Sequence, residues 1–142
     1  MRGFTLLELM LVLLLAGLLI ALAIPAIGTG TGGLDLKTAS RQLSAGLQKA
    51  RALAVGERRE TRLSVDVDTR TFVVSGDPKV YALPDGIEIK LFTAESEAQD
   101  AQGAGIRFFA DGSSTGGRIT LARGSAHAEI DVDWLTGRAK TL

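Results

Sequence analysis

The 142-residue chain has no cysteine and a single histidine, His127. The first absence excludes disulfide frameworks, zinc ribbons and thiol nucleophiles, so a folded domain here must be stable without covalent staples. The second confines imidazole chemistry to one place. Net charge is missing as well: 16 Lys and Arg balance 16 Asp and Glu. That balance removes any argument from bulk charge for a nucleic-acid or membrane-surface protein. Charge is absent locally too, since no ionisable side chain occurs between Leu9 and Leu34.

What is present is unevenly distributed. Hydrophobic residues make up 46% of the chain, but residues 4–27 are apolar at every position except Thr5, Glu8, Gly17 and Pro25. As a helix this stretch would span roughly 36 Å at ~1.5 Å per residue, slightly more than a ~30 Å hydrocarbon core. The rest of the chain has the composition of one small water-soluble domain. The sequence therefore predicts one anchor and one domain. Arg2 is the only basic residue before the apolar run and Lys37 the first after it, a bias that favours a cytoplasmic N-terminus and a domain facing outward. A secretory signal peptide is the competing reading, because Ala21-Leu22-Ala23 has the small-x-small pattern of a signal-peptidase site.

Glu8 argues for something more specific. It lies among Leu6, Leu7, Leu9 and Met10, where a carboxylate costs at least ~2.5 to 3.5 kcal/mol near the centre of an inserted helix. If the chain began at Phe4, its α-amine would stand one helical turn before Glu8. Cleavage after Gly3 would create that amine, which is largely cationic at neutral pH with a pKa of ~7.7 to 8.0. Pairing it with a carboxylate on a neighbouring helix offsets two desolvation costs and sets register.

The run Arg2-Gly3-Phe4-Thr5-Leu6-Leu7-Glu8 and the apolar segment behind it resemble the class III signal of type IV pilins and type II secretion pseudopilins. The resemblance implies a prepilin peptidase that cuts between Gly3 and Phe4 and methylates the new amine of Phe4, with Glu8 and Thr5 as assembly residues. Pro25 disfavours a continuous helix and is followed by Gly28-Thr29-Gly30-Thr31-Gly32-Gly33. The glycines satisfy the dinucleotide-binding pattern Gly-x-Gly-x-x-Gly, but they follow an apolar span rather than a strand and lack an acidic residue about twenty positions on. A flexible hinge with a helix break at Pro25 accounts for them, and in pilin-like filaments a proline here resembles the point where the helix melts.

Beyond the hinge, Asp35 is placed as an N-cap for a helix of about 20 residues whose apolar face is Leu36, Ala39, Leu43, Leu47, Ala50 and Ala54. Lys37, Arg41, Lys49, Arg51, Arg58, Arg59 and Arg62 make residues 36–62 basic, which reads as a solvated face, a contact with an acidic neighbour, or less simply a DNA site. The period then changes to two: Leu63, Val65 and Val67; Phe72 and Val74; Ile87, Ile89 and Leu91; Ile106 and Phe108; Ile119 and Leu121; Ala128, Ile130, Val132 and Trp134. These are antiparallel strands, with Trp134 in the core and a surface loop from Thr93 to Gly105. His127, Glu129, Asp131 and Asp133 fall on the opposite face of the last strand. Same-face neighbours stand about 6.6 Å apart, so one strand cannot close a Ca²⁺ shell, and Ser125 with His127 and Asp131 is no triad without spatial order.

The segment Phe109-Ala110-Asp111-Gly112-Ser113-Ser114-Thr115-Gly116-Gly117, the strand Ile119 to Leu121, and Asp133-Trp134-Leu135-Thr136-Gly137-Arg138 are similar to the C-terminal domain of the GspH/FimT family. Asp111 and Thr136 are the side chains placed to tie those two loops by hydrogen bonds. The resemblance implies an α+β, pilin-like fold: a leader at 1–3, a long N-terminal membrane and filament helix at 4–27, a hinge at 28–34, and a two-sheet antiparallel periplasmic domain at 35–142. It implies a minor pseudopilin near the tip of the type II secretion pseudopilus, anchored in the bacterial inner membrane. Its partners would be other major and minor pseudopilins, the prepilin peptidase, the inner-membrane assembly platform and secreted substrates, with nucleic acid unfavoured. The alternative is a FimT-like minor type IV pilin acting in pilus assembly or DNA uptake. Neither reading requires an enzyme activity, a cofactor or a metal.

Overall fold

The first helix starts where its own sequence caps it. In the computed structural model, which describes residues 4–28, 31–93 and 104–142 and the side chains of 4–20, 32–93 and 104–142, α1 runs Leu6–Gly28. The Glu8 amide donates to Thr5 Oγ1 at 3.3 Å and the Leu9 amide to the Thr5 carbonyl at 3.2 Å. Thr5 is thus the N-cap, and Thr5-Leu6-Leu7-Glu8 has the spacing of a capping box. The helix does not break at Pro25. One missing donor costs one rung of a ladder that the surrounding alanines, leucines and isoleucines otherwise favour.

The second helix, α2, spans Thr31–Glu57, beginning five residues before Leu36, the first helical residue if Asp35 were the cap. Residues 31–34 of the expected hinge are therefore helical, and residues 29 and 30 lie outside the described residues. Gly32 and Gly33 each cost about 1 kcal/mol of helix propensity, but propagation from the buried turns behind them is cooperative. Asp35 is correspondingly no N-cap: it sits inside α2 and pairs with Arg123. All six predicted apolar-face residues, from Leu36 to Ala54, are buried. Gly46 lets α2 approach closely, since a Cβ there would stand 2.6 Å from the Phe72 ring.

Among the described residues eight strands follow: β1 Thr61–Asp66, β2 Thr71–Val74, β3 Val80–Ala82, β4 Glu88–Phe92, β5 Ala104–Phe108, β6 Gly117–Arg123, β7 Ala126–Val132 and β8 Ala139–Thr141. They form two four-stranded sheets with orders β3-β2-β1-β5 and β4-β6-β7-β8, antiparallel throughout. Register puts Leu63 opposite Val74 and Ile106, and Ile119 opposite Leu91 and Ile130, so the alternating apolar residues share inner faces. With the α2 stripe they make one core.

Three expectations fail here, the first being the surface loop expected to run to Gly105: β5 begins at Ala104, and residues 94–103 lie outside the described residues. Val67 and Trp134 are exposed, because each lies one residue or more past the end of its strand, where period two no longer applies. The three-residue strands β3 and β8 are too short to show alternation. The chain divides into two units, Met1–Gly32 and Gly33–Leu142. Among the described residues no helix is long and apolar enough to cross a membrane; the described side chains of α1 stop at Ile20, about 21 Å along the helix from Leu6.

Candidate functional site

Of the N-terminal residues, Gly3 lies outside the described residues, while Phe4 precedes α1 and is 80% exposed. Glu8 sits in the first turn, where a carboxylate is favoured by the helix dipole. It is exposed and in no ion pair among the described residues. Every described side chain of α1 is exposed, apolar on all sides, so the apolar surface of this helix is not satisfied by α1 itself. Thr5, expected as an assembly residue, has an intrachain task as the cap.

The basic run of α2 is mostly spent inside the domain. Lys49 Nζ stands 2.6 Å from Asp77 Oδ2 and 3.3 Å from the Tyr81 hydroxyl, which itself donates to Asp77 at 2.8 Å. The Tyr81 ring stacks on Phe72 at 4.9 Å. The Lys49 ammonium, and then the Tyr81 hydroxyl, hold the Asp77 carboxyl down to about 2, and the same bonds raise Lys49. Arg59 pairs with Glu57, and Arg62 is buried on β1. Lys37 and Arg41 remain on the surface, one helical turn apart, beside a groove lined by Leu36, Ser40, Ala128 and Thr141.

Nor do the groups on β7 converge. Arg118 on the neighbouring strand bridges Glu129 at 3.5 Å and Asp131 at 3.2 Å. Asp133 organises a turn instead, and His127 is exposed opposite Ala122. Ser125 belongs to the β6–β7 turn. Among the described residues, no group of three or more His, Cys, Asp and Glu is placed to hold a metal ion.

The best-built feature is a pair of loops, β5–β6 and β7–β8, held together by Ser114 and by Arg51. Asp111 Oδ1 accepts from the Ser113 amide at 2.9 Å and its hydroxyl at 2.5 Å. Asp133 Oδ1 accepts from the Leu135 and Thr136 amides and the Thr136 hydroxyl. These bonds, the Ser113 and Thr136 ones first, hold both carboxyls below the usual range. Ser114 then joins the loops: its amide donates to the Trp134 carbonyl at 2.8 Å and its hydroxyl to the Asp133 carbonyl at 3.0 Å. Arg51 Nε, reaching from α2, donates to the Gly112 carbonyl at 3.1 Å and the Thr136 carbonyl at 2.9 Å. Gly137 has φ 62° and is packed against the Gly112 carbonyl, so a side chain there would be strained and would clash.

The expected roles of Asp111 and Thr136 hold in this geometry. Arg51 was not foreseeable as a clamp, because its partners lie 61 and 85 residues away. Thr5 was: the Thr-x-x-Glu spacing is a local signal.

Comparison with known proteins fits this architecture. Residues 39–137 match the model of a family described as type II transport protein GspH. The chain is 36% identical to type II secretion system protein H of Xanthomonas campestris pv. campestris over 142 residues, covering 99% of this chain and 83% of that one. Among solved structures, the type IV minor pilin FimU of Pseudomonas aeruginosa aligns with a TM-score of 0.60 at 18% identity, over 79% of this chain and 91% of that one. The minor pseudopilin EpsH of the Vibrio cholerae type 2 secretion system aligns at 0.59 and 13%, over 76% and 96%. Over the aligned residues both share the fold seen here. By the family match and the level of identity, this chain belongs to the GspH family of type II transport proteins.

Proposed function

We propose that this chain is a minor pseudopilin, a structural subunit at or near the tip of the periplasmic type II secretion pseudopilus. In this reading prepilin peptidase cuts between Gly3 and Phe4, the Phe4 amine is methylated, and residues 4–27 hold the chain in the inner membrane with the domain in the periplasm. The helix then passes into the filament core, where Glu8 meets the Phe4 amine of a neighbouring pseudopilin. The inner-membrane assembly platform drives that transfer, and secreted folded proteins meet the filament at the tip.

The observation that carries the reading is α1, whose described side chains are exposed on all sides and whose single charge is Glu8. Such a helix needs partners outside itself, either lipid or other helices like it. Glu8→Ala is expected to leave cleavage and membrane insertion intact while lowering co-purification with other pseudopilins at least tenfold. Normal incorporation of this variant would overturn the proposal.

A FimT-like subunit that engages DNA is the second reading, and Lys37 with Arg41 on the α2 surface is the observation in its favour. Duplex binding by the full chain with a steep salt slope at near-physiological ionic strength would select it. Loss of that binding in a Lys37→Gln/Arg41→Gln variant would locate the site.

A further inference from the structure

The β7–β8 turn fixes its backbone from several directions and leaves its two large apolar side chains in solvent. Trp134 is 65% exposed and Leu135 63%. Around them the Asp133 carboxylate accepts three hydrogen bonds, and the Gly137 amide donates to the Asp133 carbonyl at 2.8 Å. The Asp133 amide closes the turn on the Arg138 carbonyl at 3.0 Å. Ser114 and Arg51 tie the same turn to the β5–β6 loop and to α2.

This arrangement has an evident cost in exposed apolar surface. The alternation of β7 would have carried Trp134 to the face of Ile130 and Val132, which are buried; the turn at Asp133 takes it away. Two apolar side chains are thereby left in water on a backbone with little freedom. Binding through such a site loses little conformational entropy, and tryptophan is among the residue types that dominate interface energetics.

We propose that Trp134 and Leu135 form a preformed anchor that inserts into an apolar cleft on the domain of another subunit of the same filament, with Arg138 engaging a carboxylate at the cleft rim. This rests on the pseudopilin reading above. Arg138 is exposed and in no ion pair among the described residues, so its charge is available to a partner. Two further carboxylates, Asp111 and Asp133, stand on the paired loops and stay ionised to low pH. They would repel an anionic bilayer surface, whereas a protein cleft with a polar rim accommodates both signs of charge.

The test uses the full chain in its own cells, with a photo-reactive phenylalanine analogue at position 135. Irradiation is expected to link it to the domain of one other pseudopilin, identified by mass spectrometry. Trp134→Ala/Leu135→Ala is expected to lower co-purification of that subunit at least tenfold, with cleavage and thermal melting unchanged. Arg138→Glu, a surface change that leaves the apolar contact in place, is expected to lower it several-fold. Cross-links only to lipid, only to a second copy of this chain, or to nothing would overturn the inference, as would undiminished co-purification of the double variant. If the unaltered chain itself fails to co-purify with any pseudopilin, the pseudopilin reading falls; if it succeeds and the double variant does equally well, only the anchor falls.

Discussion

The two described helices, α1 and α2, are of similar length and treat apolar surface in opposite ways. In α1 every described side chain is exposed and nearly all are apolar, whereas α2 concentrates Leu36, Ala39, Leu43, Leu47, Ala50 and Ala54 on one buried face. An apolar stripe identifies partners within the chain, because a sheet can cover one side of a helix. Apolarity on all sides needs an environment instead. The difference separates the part of the sequence that stabilises the domain from the part that serves location and assembly.

The sharpest way to break the comparison is to truncate one leucine in each helix. Leu47→Ala is expected to destabilise the domain by about 2 to 5 kcal/mol, since Leu47 is buried against both sheets' core. Leu14→Ala, on exposed α1, is expected to leave domain unfolding unchanged within about 0.5 kcal/mol. Urea unfolding of the detergent-solubilised chain measures both. An equal loss from Leu14→Ala would show that α1 packs on the domain.

Next in size is Gly137→Ala, which forces a side chain onto a left-handed residue packed against the Gly112 carbonyl. A loss of about 2 to 3 kcal/mol is expected in the same assay, with amide exchange rising in both loops and not in α1.

The pH dependence sharpens the comparison from another side. Asp77 has a folded value of about 2, below its usual one near 3.8, so its contribution is fully present above about pH 4. It is lost as pH falls from there through 2. Lys49 is raised, so its contribution is present below its ordinary value of 10.5 and lost as pH rises through the folded one. Melting temperature of the domain should therefore fall between pH 4 and 2, and the fall should be shallower in Asp77→Asn. An identical acid limb in the variant would remove Asp77 from the explanation. The smallest expected effect is Thr5→Ala, which removes the α1 cap and should cost that helix about 0.5 to 2 kcal/mol, seen as faster amide exchange at Leu6 to Leu9 with no change in the domain.

Legibility in the sequence followed the reach of each interaction. The α2 stripe and the inward residues of the strands were readable because helical and strand periods are local, and every one of the six α2 positions is buried. The loop ties of Asp111 and Thr136 were readable for the same reason, their partners being two or three residues away. Trp134 was misread because alternation carries no mark of where β7 stops. Asp35 resembled a cap in sequence but finds Arg123, a partner 88 residues away. Pro25 predicted a break where α1 runs on to Gly28, and Gly32 and Gly33 predicted a hinge where α2 has already begun, since a residue's local cost does not reveal the cooperative weight of its neighbours. Arg51 looked like one cation among seven until the fold brought two carbonyls to it.

That one guanidinium serves both loops also bears on where the chain tolerates alteration. A residue inserted between Asp111 and Ser113, or between Asp133 and Gly137, displaces a carbonyl that the other loop shares, so the two segments have a single allowance for change in length. The β6–β7 turn is free of that linkage: Gly124 and Ser125 are exposed, and a Cβ on Gly124 would meet nothing within 4 Å. A fluorophore or epitope for following this subunit belongs at that turn, at the opposite end of β7 from the clamped pair.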